Sequence, residues 1–354
     1  MTKYAFLQAT HSFVILWTNQ QGGYFHMQRP SFASREEYAR HFIDIEYWQP
    51  YVEAICERHN LAPSHHIQRG LPGSNPVFIV DERYVVKIYT HLFGGAESCA
   101  RELELYSLFA RFPQLPFPIL LAFGTLFPVG QEWHWPYIVI SVIPGTNIGE
   151  FYEQVQYADK LALARYLGPL LYKLHNLPLD GLQSFKPAWD GFVSFLEQQR
   201  HSCAENHKCW KALPASLIGQ IDGYLLPVRT LVNQRSRPLL LHCDLNQDHV
   251  MGFLKDGHWQ TTGIIDFGDA RIGERLYELI ALHVGLFHGD KTLLRAFLES
   301  YGIDKMVEKQ FVHQAMSYTL LFEFDVLGPI LQATPSLRSA TSLAKLAELL
   351  WDIE

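Results

Sequence analysis

The residues with the clearest potential for chemistry lie in a polar loop between two apolar segments. The stretch 239–251 reads Leu-Leu-Leu-His-Cys-Asp-Leu-Asn-Gln-Asp-His-Val-Met, so that Asp244 lies inside the loop and His249 opens the next apolar segment. A further apolar segment ends in the stretch 263–270, Gly-Ile-Ile-Asp-Phe-Gly-Asp-Ala, which carries Asp266. A Lys-Asp-Gly turn separates the two segments, which predicts a hairpin with His249 at its entry and Asp266 at its exit.

Such a hairpin would bring an imidazole and a carboxylate to the same end of two neighbouring strands. These two ligands suit a Mg²⁺–nucleotide site, while Asp244 stays free to contact a substrate. Phosphoryl transfer needs a carboxylate that orients the attacking hydroxyl, with a metal and cations that hold the phosphates. The alternative is a buried strand–turn–strand with incidental acids, because His-x-Asp alone is frequent by chance; the whole string is far more specific.

The motif formed by His242, Asp244, the five-residue step to His249 and the Ile-Asp-Phe-Gly of 265–268 resembles the aminoglycoside phosphotransferase and choline kinase family. That family shares the protein-kinase fold. The resemblance implies that Asp244 is the catalytic base, that Asp266 is the main Mg²⁺ ligand and that His242 braces the loop. The family more often has Asn in place of His249, but the aminoglycoside 2''-phosphotransferases look similar in carrying His. Imidazole is a softer ligand than an amide oxygen, which would tilt the metal preference toward Mn²⁺.

A kinase-like site also needs a cation on the phosphates, held by an acid on a helix. Lys87 lies inside an apolar strand, where a charge is costly unless it is paired. Glu102, on the next predicted helix, matches the family's pairing acid by position. Glu104 is the rival, although two residues along a helix turn its side chain to another face. A solvent-facing Lys on an edge strand is the alternative for Lys87 taken alone.

Two further segments are candidates for contacts with ATP or GTP. The stretch 70–78, Gly-Leu-Pro-Gly-Ser-Asn-Pro-Val-Phe, is a candidate phosphate-covering loop, because its backbone N–H groups and Ser74 can approach phosphate oxygens. It lacks the Gly-x-Gly-x-x-Gly pattern of protein kinases, and an ordinary turn is the alternative. The stretch 135–145 resembles the family's interlobe hinge, which implies that backbone groups from Ser141 to Ile143 bind the purine.

The predicted elements divide into a small β region followed by a mostly helical one. We expect an α+β, bilobal protein-kinase-like fold with a small antiparallel β N-lobe and a large helical C-lobe. The predicted parts are an N-terminal extension of hairpin and helix over 1–60, a nucleotide-binding β lobe over 61–143, and a helical catalytic and substrate lobe over 144–354. Strands and helices are predicted at 77–80 and 84–89 (a hairpin), 96–109 (helix), 118–125 and 136–143 (strands), 161–174 (helix) and 238–267 (β structure).

The N-terminal extension carries weaker signals. Apolar stretches at 12–17 and 24–28 flank a Gly-containing turn and predict a hairpin. Ser34 has the spacing of a capping box before a helical pattern. Pro50 falls inside that pattern and is expected to mark a kink or the first turn of a second helix.

Composition restricts the class of protein and its partners. The chain has 354 residues, of which 48 % are apolar and 18 % are charged, which is a globular balance. The net charge of −7 argues against a nucleic-acid partner and is compatible with a cationic acceptor. Five scattered cysteines indicate a reducing cytoplasm, and the N-terminal apolar stretch 11–17 is too short and too polar at its edges for a signal or a membrane span. Whether the protein is a monomer or a dimer stays open.

We therefore expect a small-molecule kinase, with a pseudokinase and a nucleotidyl-transferring enzyme on the same fold as the alternatives. The acceptor could be an aminoglycoside-like antibiotic or a hydroxylated metabolite. Acidic residues at 319–325 and at Asp269, Glu274 and Glu278 could line an anionic pocket, or could cap helices and pair with nearby arginines. The Cys and His residues of 201–209 lack zinc-finger spacing and indicate a solvated helix–loop stretch.

Overall fold

A computed structural model describes residues 27–61, 66–71, 73–130, 132–185, 189–303 and 310–353. The strand predicted at 12–17 and most of that predicted at 24–28 lie outside these residues. Within the described ranges, no helix combines the length and the hydropathy that crossing a membrane requires.

The strands form one five-stranded sheet and two smaller ones. In the large sheet the order is β1-β2-β3-β5-β4, and all neighbouring pairs are antiparallel. The smaller sheets have the orders β6-β8-β9 and β10-β7. The strands are β1 (Ile67–Arg69), β2 (Val77–Val80), β3 (Tyr84–Ile88), β4 (Leu120–Thr125), β5 (Pro136–Ser141), β6 (Thr146–Asn147), β7 (Leu239–Leu241), β8 (Val250–Lys255), β9 (His258–Ile264) and β10 (Arg271–Gly273).

A few helices pack on the large sheet, whereas most of the helices lie in the second half of the chain. A π-helical turn over Ala281–Leu286 follows α9. The helices are α1 (Arg35–His41), α2 (Ile45–Arg58), α3 (Gly95–Phe109), α4 (Tyr157–His175), α5 (Trp189–Trp210), α6 (Ala215–Ile218), α7 (Ile221–Tyr224), α8 (Val228–Leu231), α9 (Arg275–Ile280), α10 (Lys291–Tyr301), α11 (Phe311–Leu320), α12 (Leu327–Ala333), α13 (Pro335–Arg338) and α14 (Leu343–Trp351).

The β2–β3 hairpin, which carries Lys87, matches its prediction. Its loop residues Asp81 and Glu82 adopt positive φ angles of 51° and 54°, and the register pairs Val77 with Lys87. On its other side Lys87 pairs with Ile138 of β5. The cation therefore lies inside the sheet and not at an edge, which removes the solvent-facing alternative.

Helix α2 packs against the same sheet and shares its core. Trp48 and Ile55 of the helix are fully buried with Val86 and Val139 of the sheet. The helix runs without interruption past Pro50, so the prediction that this residue begins a second helix is wrong. The boundary between the N-terminal extension and the β lobe stays a prediction, although the core joins residues on both sides of it.

Most of the larger apolar core lies in the helical part of the chain, where α4 packs closely on α10. Gly168 allows the close approach of these helices, because a Cβ atom there would lie 2.1 Å from Ser300 Oγ. The segment 201–209 lies within α5, and Cys203 donates to the Leu320 carbonyl. The chain thus forms a small lobe around the five-stranded antiparallel sheet, followed by a large, mostly helical lobe. This confirms the expected α+β, bilobal fold.

Candidate active site

The β8–β9 hairpin brings His249 and Asp266 to the same end of the small sheet. Val250 pairs with Ile264, and the Ile265 N–H donates to the His249 carbonyl at 3.0 Å. Asp266 follows with a φ angle of +61°, which turns the chain out of the strand. His249 Nε2 lies 3.8 Å from Asp266 Oδ2. The predicted convergence of these two side chains is present in the structure.

The loop of residues 242–249, here called the Asp244 loop, holds Asp244 at the edge of the same space. Asn246 Nδ2 donates to Asp244 Oδ1 at 2.9 Å. His242 lies between the loop and the strand end, because its Nδ1 accepts from the Asp244 N–H at 3.2 Å and its Nε2 donates to the Ile265 carbonyl at 3.0 Å. This imidazole therefore braces the loop, as the resemblance implied.

A fully buried carboxylate on α9 anchors the start of the Asp244 loop. Glu278 accepts from the backbone N–H of His242 at 2.6 Å and from that of Cys243 at 3.2 Å. Cys243 has a φ angle of +68°, so the loop bends sharply there. His175 Nε2 lies 3.3 Å from the same carboxylate. The expectation that Glu278 could line an anionic pocket is wrong, because the side chain points into the interior and its charge is satisfied by the loop.

Lys87 reaches across the cleft to the second lobe. Its Nζ lies 2.8 Å from Glu102 Oε1 and 3.3 Å from Asp266 Oδ1. Glu104, the rival acid, faces away and accepts from the Ser184 N–H at 2.9 Å. Helix α3 therefore presents Glu102 to the lysine, as its position in the sequence predicted.

The charges of this cluster shift its pKa values in opposite directions. Burial favours neutral Asp266, but Lys87 and His249 outweigh this effect and hold the pKa of Asp266 well below its usual range. Burial raises the pKa of Asp244; His249 opposes the rise, and the carboxylates of Asp269 and Asp266 add to it. Asp266 is thus the permanent anion, and Asp244 has the greater affinity for a proton.

The donor set fits a divalent cation. His249 Nδ1 lies 2.6 Å from the Asp244 carbonyl and can donate to it, which leaves Nε2 as the nitrogen facing Asp266. The Asp266 side chain is 44 % exposed and its charge is available to the cleft. Burial lowers the pKa of His249, but Asp266 and Asp244 more than offset this and raise it, so that a bound metal would have to displace a proton from Nε2.

A cavity of about 610 Å³, a size typical of small-molecule sites, is lined by Lys87, Glu102, Asp244, His249 and Asp266. Ser74 also lines it, and the Ser74 carbonyl accepts from the Tyr38 hydroxyl at 2.8 Å, which ties the candidate phosphate loop to α1. Ser141 and Ile143 are not part of this lining. The Ser141 N–H donates to the Ile119 carbonyl and the Val142 N–H donates to the Arg83 carbonyl, so these two N–H groups are already engaged within the protein.

One wall of the cavity carries acids that the sequence predicted as candidates for an anionic pocket. Asp269, Glu323 and Asp325 line it, whereas Glu274 does not. Arg271 Nη2 lies 2.7 Å from both oxygens of Glu323. The alternative that these acids pair with nearby arginines therefore holds for Glu323.

The cluster of Lys87, Asp266, His249 and Asp244 is the arrangement expected of a phosphotransferase site, and comparison with known proteins identifies the family. The profile described as the phosphotransferase enzyme family (APH) matches residues 68–313, more than half of the chain. The chain therefore belongs to this family.

Solved structures of similar fold include an aminoglycoside phosphotransferase and a macrolide phosphotransferase. The GDP complex of aminoglycoside 2'-phosphotransferase-IIIa superposes with a TM-score of 0.61, at 18 % identity over 86 % of this chain and 97 % of that one. The apoenzyme of macrolide 2'-phosphotransferase MphH from Brachybacterium faecium gives 0.51, at 16 % identity over 87 % of this chain and 99 % of that one. At these identities the similarity establishes the kinase-like fold.

The match to a curated relative covers only part of that protein. The lysine-specific demethylase JMJ21 of Arabidopsis thaliana is 24 % identical over 88 % of this chain, but only 45 % of that protein is covered. The chain thus spans less than half the length of this relative.

Proposed function

We propose that this protein transfers the γ-phosphoryl group of ATP or GTP to a hydroxyl group of a small molecule. The observation that carries the proposal is the convergence of Lys87, Asp266, His249 and Asp244 in one cavity between the two lobes. A permanent cation, a permanent carboxylate and a second carboxylate with a raised pKa are the groups that phosphoryl transfer uses.

Each side chain has a separate task in this proposal. Lys87, held by Glu102, binds the nucleotide phosphates through its Nζ. Asp244 accepts a hydrogen bond from the acceptor hydroxyl and takes its proton as the oxygen attacks, and its raised pKa makes it a better base than an ordinary carboxylate. The hydrogen bond from Asn246 orients the carboxylate.

Asp266 and His249 would hold Mg²⁺, or Mn²⁺ in its place. The metal, when bound, would supply positive charge to the phosphate oxygens. His249 Nε2 must be unprotonated for this, and the contact of its Nδ1 with the Asp244 carbonyl selects the required tautomer.

Neighbouring structures indicate which acceptors to test first. One of them is the GDP and kanamycin complex of APH(2")-IIIa, with a TM-score of 0.62 at 17 % identity. Aminoglycosides and macrolides therefore belong in the screen, beside amino alcohols, sugars and hydroxy acids.

The test measures product mass after incubation with ATP or GTP, Mg²⁺ and each acceptor. A gain of one phosphoryl group supports the proposal, whereas a gain of a nucleoside monophosphate would indicate nucleotidyl transfer. Asp244→Asn should lower kcat by about a hundredfold or more and leave nucleotide affinity nearly unchanged. Asp248→Asn is the matched control, because this exposed acid lies in the same loop. Equal turnover by both variants would contradict the role of Asp244.

A further inference from the structure

The cavity contains a cationic side chain that phosphoryl transfer does not require. Three Lys or Arg side chains line it: Lys87, Arg101 and Arg271. Lys87 pairs with Glu102, and Arg271 is bound by both oxygens of Glu323. Arg101 makes no hydrogen bond or ion pair with any residue in the part of the chain that the structure describes, and its Nε is buried without a partner.

Arg101 lies near the acids that line one wall of the cavity. It lies on α3 one residue before Glu102, so its side chain leaves the helix about 100° away from the acid that holds Lys87. Its charge also acts on Glu323: burial raises the pKa of Glu323, while Arg271 and Arg101 oppose that rise. Glu323 belongs to the acid-lined wall of the cavity described above.

The acids of this wall are mostly engaged within the protein. Glu323 is bound to Arg271, and Asp325 Oδ1 accepts from the Gly328 N–H at 2.8 Å. Asp269 makes no hydrogen bond or ion pair within the described ranges. Its negative charge contributes to the raised pKa of Asp244. Among the described residues, this part of the cavity therefore offers one unpaired cation, Arg101, and one unpaired anion, Asp269, instead of the purely anionic surface that a polycationic acceptor would need.

We propose that the acceptor carries a carboxylate or phosphate group in addition to the hydroxyl that is phosphorylated, and that Arg101 binds this group. A guanidinium donates two parallel hydrogen bonds to such an oxyanion, and in a cavity these are stronger than in water. The unpaired carboxylate of Asp269 accommodates an amino group where the acceptor has one. This inference rests on the proposed function for the meaning of "acceptor", but its test does not depend on turnover.

The experiment compares pairs of hydroxy compounds that differ in the anionic group alone. Suitable pairs are glycerate and glycerol, serine and ethanolamine, and glucose 6-phosphate and glucose, so that an amine is either present in both members or absent from both. Each compound is titrated calorimetrically into the Asp244→Asn protein saturated with Mg²⁺ and a non-hydrolysable ATP or GTP analogue. The analogue fills the γ-phosphate position and prevents the anion from binding there.

In at least one pair the anionic member should bind about tenfold or more tightly than its partner, and Arg101→Gln should abolish the difference. Arg101→Lys should restore part of it, since a point charge replaces the bidentate contact. Arg111→Gln is the matched control, because Arg111 is exposed just beyond the end of α3. The affinity for the nucleotide analogue should not change in any of these variants.

Three results would overturn the inference. In the first, no anionic member binds better than its partner. In the second, the preference for the anionic member survives in Arg101→Gln. In the third, Arg101→Gln weakens binding of the nucleotide analogue and leaves binding of the acceptors unaffected, which would assign Arg101 to a nucleotide phosphate. Failure of the proposed function looks different: turnover of the wild-type protein would be absent or would survive Asp244→Asn, while the anion preference could still be measured.

Discussion

Replacing Glu278 with Gln tests whether a single buried carboxylate holds the Asp244 loop in position. The carboxylate accepts two backbone N–H groups, from His242 and Cys243, at 2.6 and 3.2 Å. An amide of the same shape keeps one carbonyl acceptor, and its NH₂ group would face the other N–H. The substitution therefore removes one charge-assisted hydrogen bond and leaves one buried donor unpaired.

The magnitude follows from these two changes. A hydrogen bond to a charged group contributes about 1.5–3 kcal/mol, and an unpaired buried donor costs about 1–3 kcal/mol. The free energy of unfolding should therefore fall by about 3–5 kcal/mol, the range that the sum of the two terms allows after partial relaxation. Because the loop carries Asp244, kcat should fall about tenfold or more while the KM for the nucleotide stays close to its wild-type value.

Urea unfolding, followed by tryptophan fluorescence, measures the stability, and initial rates measure the kinetic parameters. Glu299→Gln is the control, because Glu299 is an exposed acid on α10. That control should change the free energy of unfolding by less than about 1 kcal/mol.

The acid dependence provides a second check. Burial raises the pKa of Glu278, but the hydrogen bond and charge of His175 and the contacts of His242 outweigh it and lower that pKa. The stabilisation by ionised Glu278 is thus complete above the ordinary Glu pKa of 4.5 and is lost as the pH falls through the lower folded value. The difference between wild type and Glu278→Gln should shrink below pH 4.5. Two results would refute the reasoning. Either the Glu278→Gln variant is as stable as the wild-type protein at pH 7, or it has a raised nucleotide KM with an unchanged kcat.

Three further predictions concern the nucleotide, the metal and stability in acid. Glu102→Gln should raise the nucleotide KM about tenfold because Lys87 loses its partner, whereas Glu104→Gln should leave it unchanged; equal effects in steady-state kinetics would contradict this pairing. His249→Asn should shift the activity ratio from Mn²⁺ toward Mg²⁺ and make the metal titration less dependent on pH between 6 and 8; an unchanged ratio and pH dependence would argue against His249 as a ligand. Burial lowers the pKa of His283 to about 4, so the unfolded chain binds a proton that the folded one excludes, and stability falls from pH 6.5 toward 4. In urea unfolding, His283→Gln should reduce the loss of unfolding free energy between pH 6.5 and 4 by on the order of 3 kcal/mol. An unchanged loss would mean that other groups cause the acid sensitivity.

Short-range pattern was enough to predict the hairpin at the centre of the site. The apolar alternation of β8 and β9 and the turn between them determine the register, and the register places His249 beside Asp266. The same reasoning placed Lys87 inside an apolar strand. It also predicted a partner for this residue, because a charge in an apolar environment is costly unless it is paired.

Residues that act through buried backbone contacts escaped sequence reasoning. Glu278 looks like any other acid near a helix start, and only the packing of α9 beneath the Asp244 loop shows that it accepts two N–H groups. The sequence likewise could not predict that Arg101 lacks a partner among the described residues, because this depends on which neighbouring charges are already paired. Pro50 misled for a related reason: tertiary packing of α2 on the sheet tolerates a proline that local propensity would place at a boundary.

The amino-acid sequence by itself determined the chemical groups of the site, their order and the local elements that carry them, because strand period and turn residues act over a few positions. Only the tertiary structure decided that Lys87 meets Asp266, 179 residues further along the chain, and which charges remain unpaired in the cavity. Such pairings depend on how two lobes pack, and packing is a sum of many weak contacts that no short segment encodes.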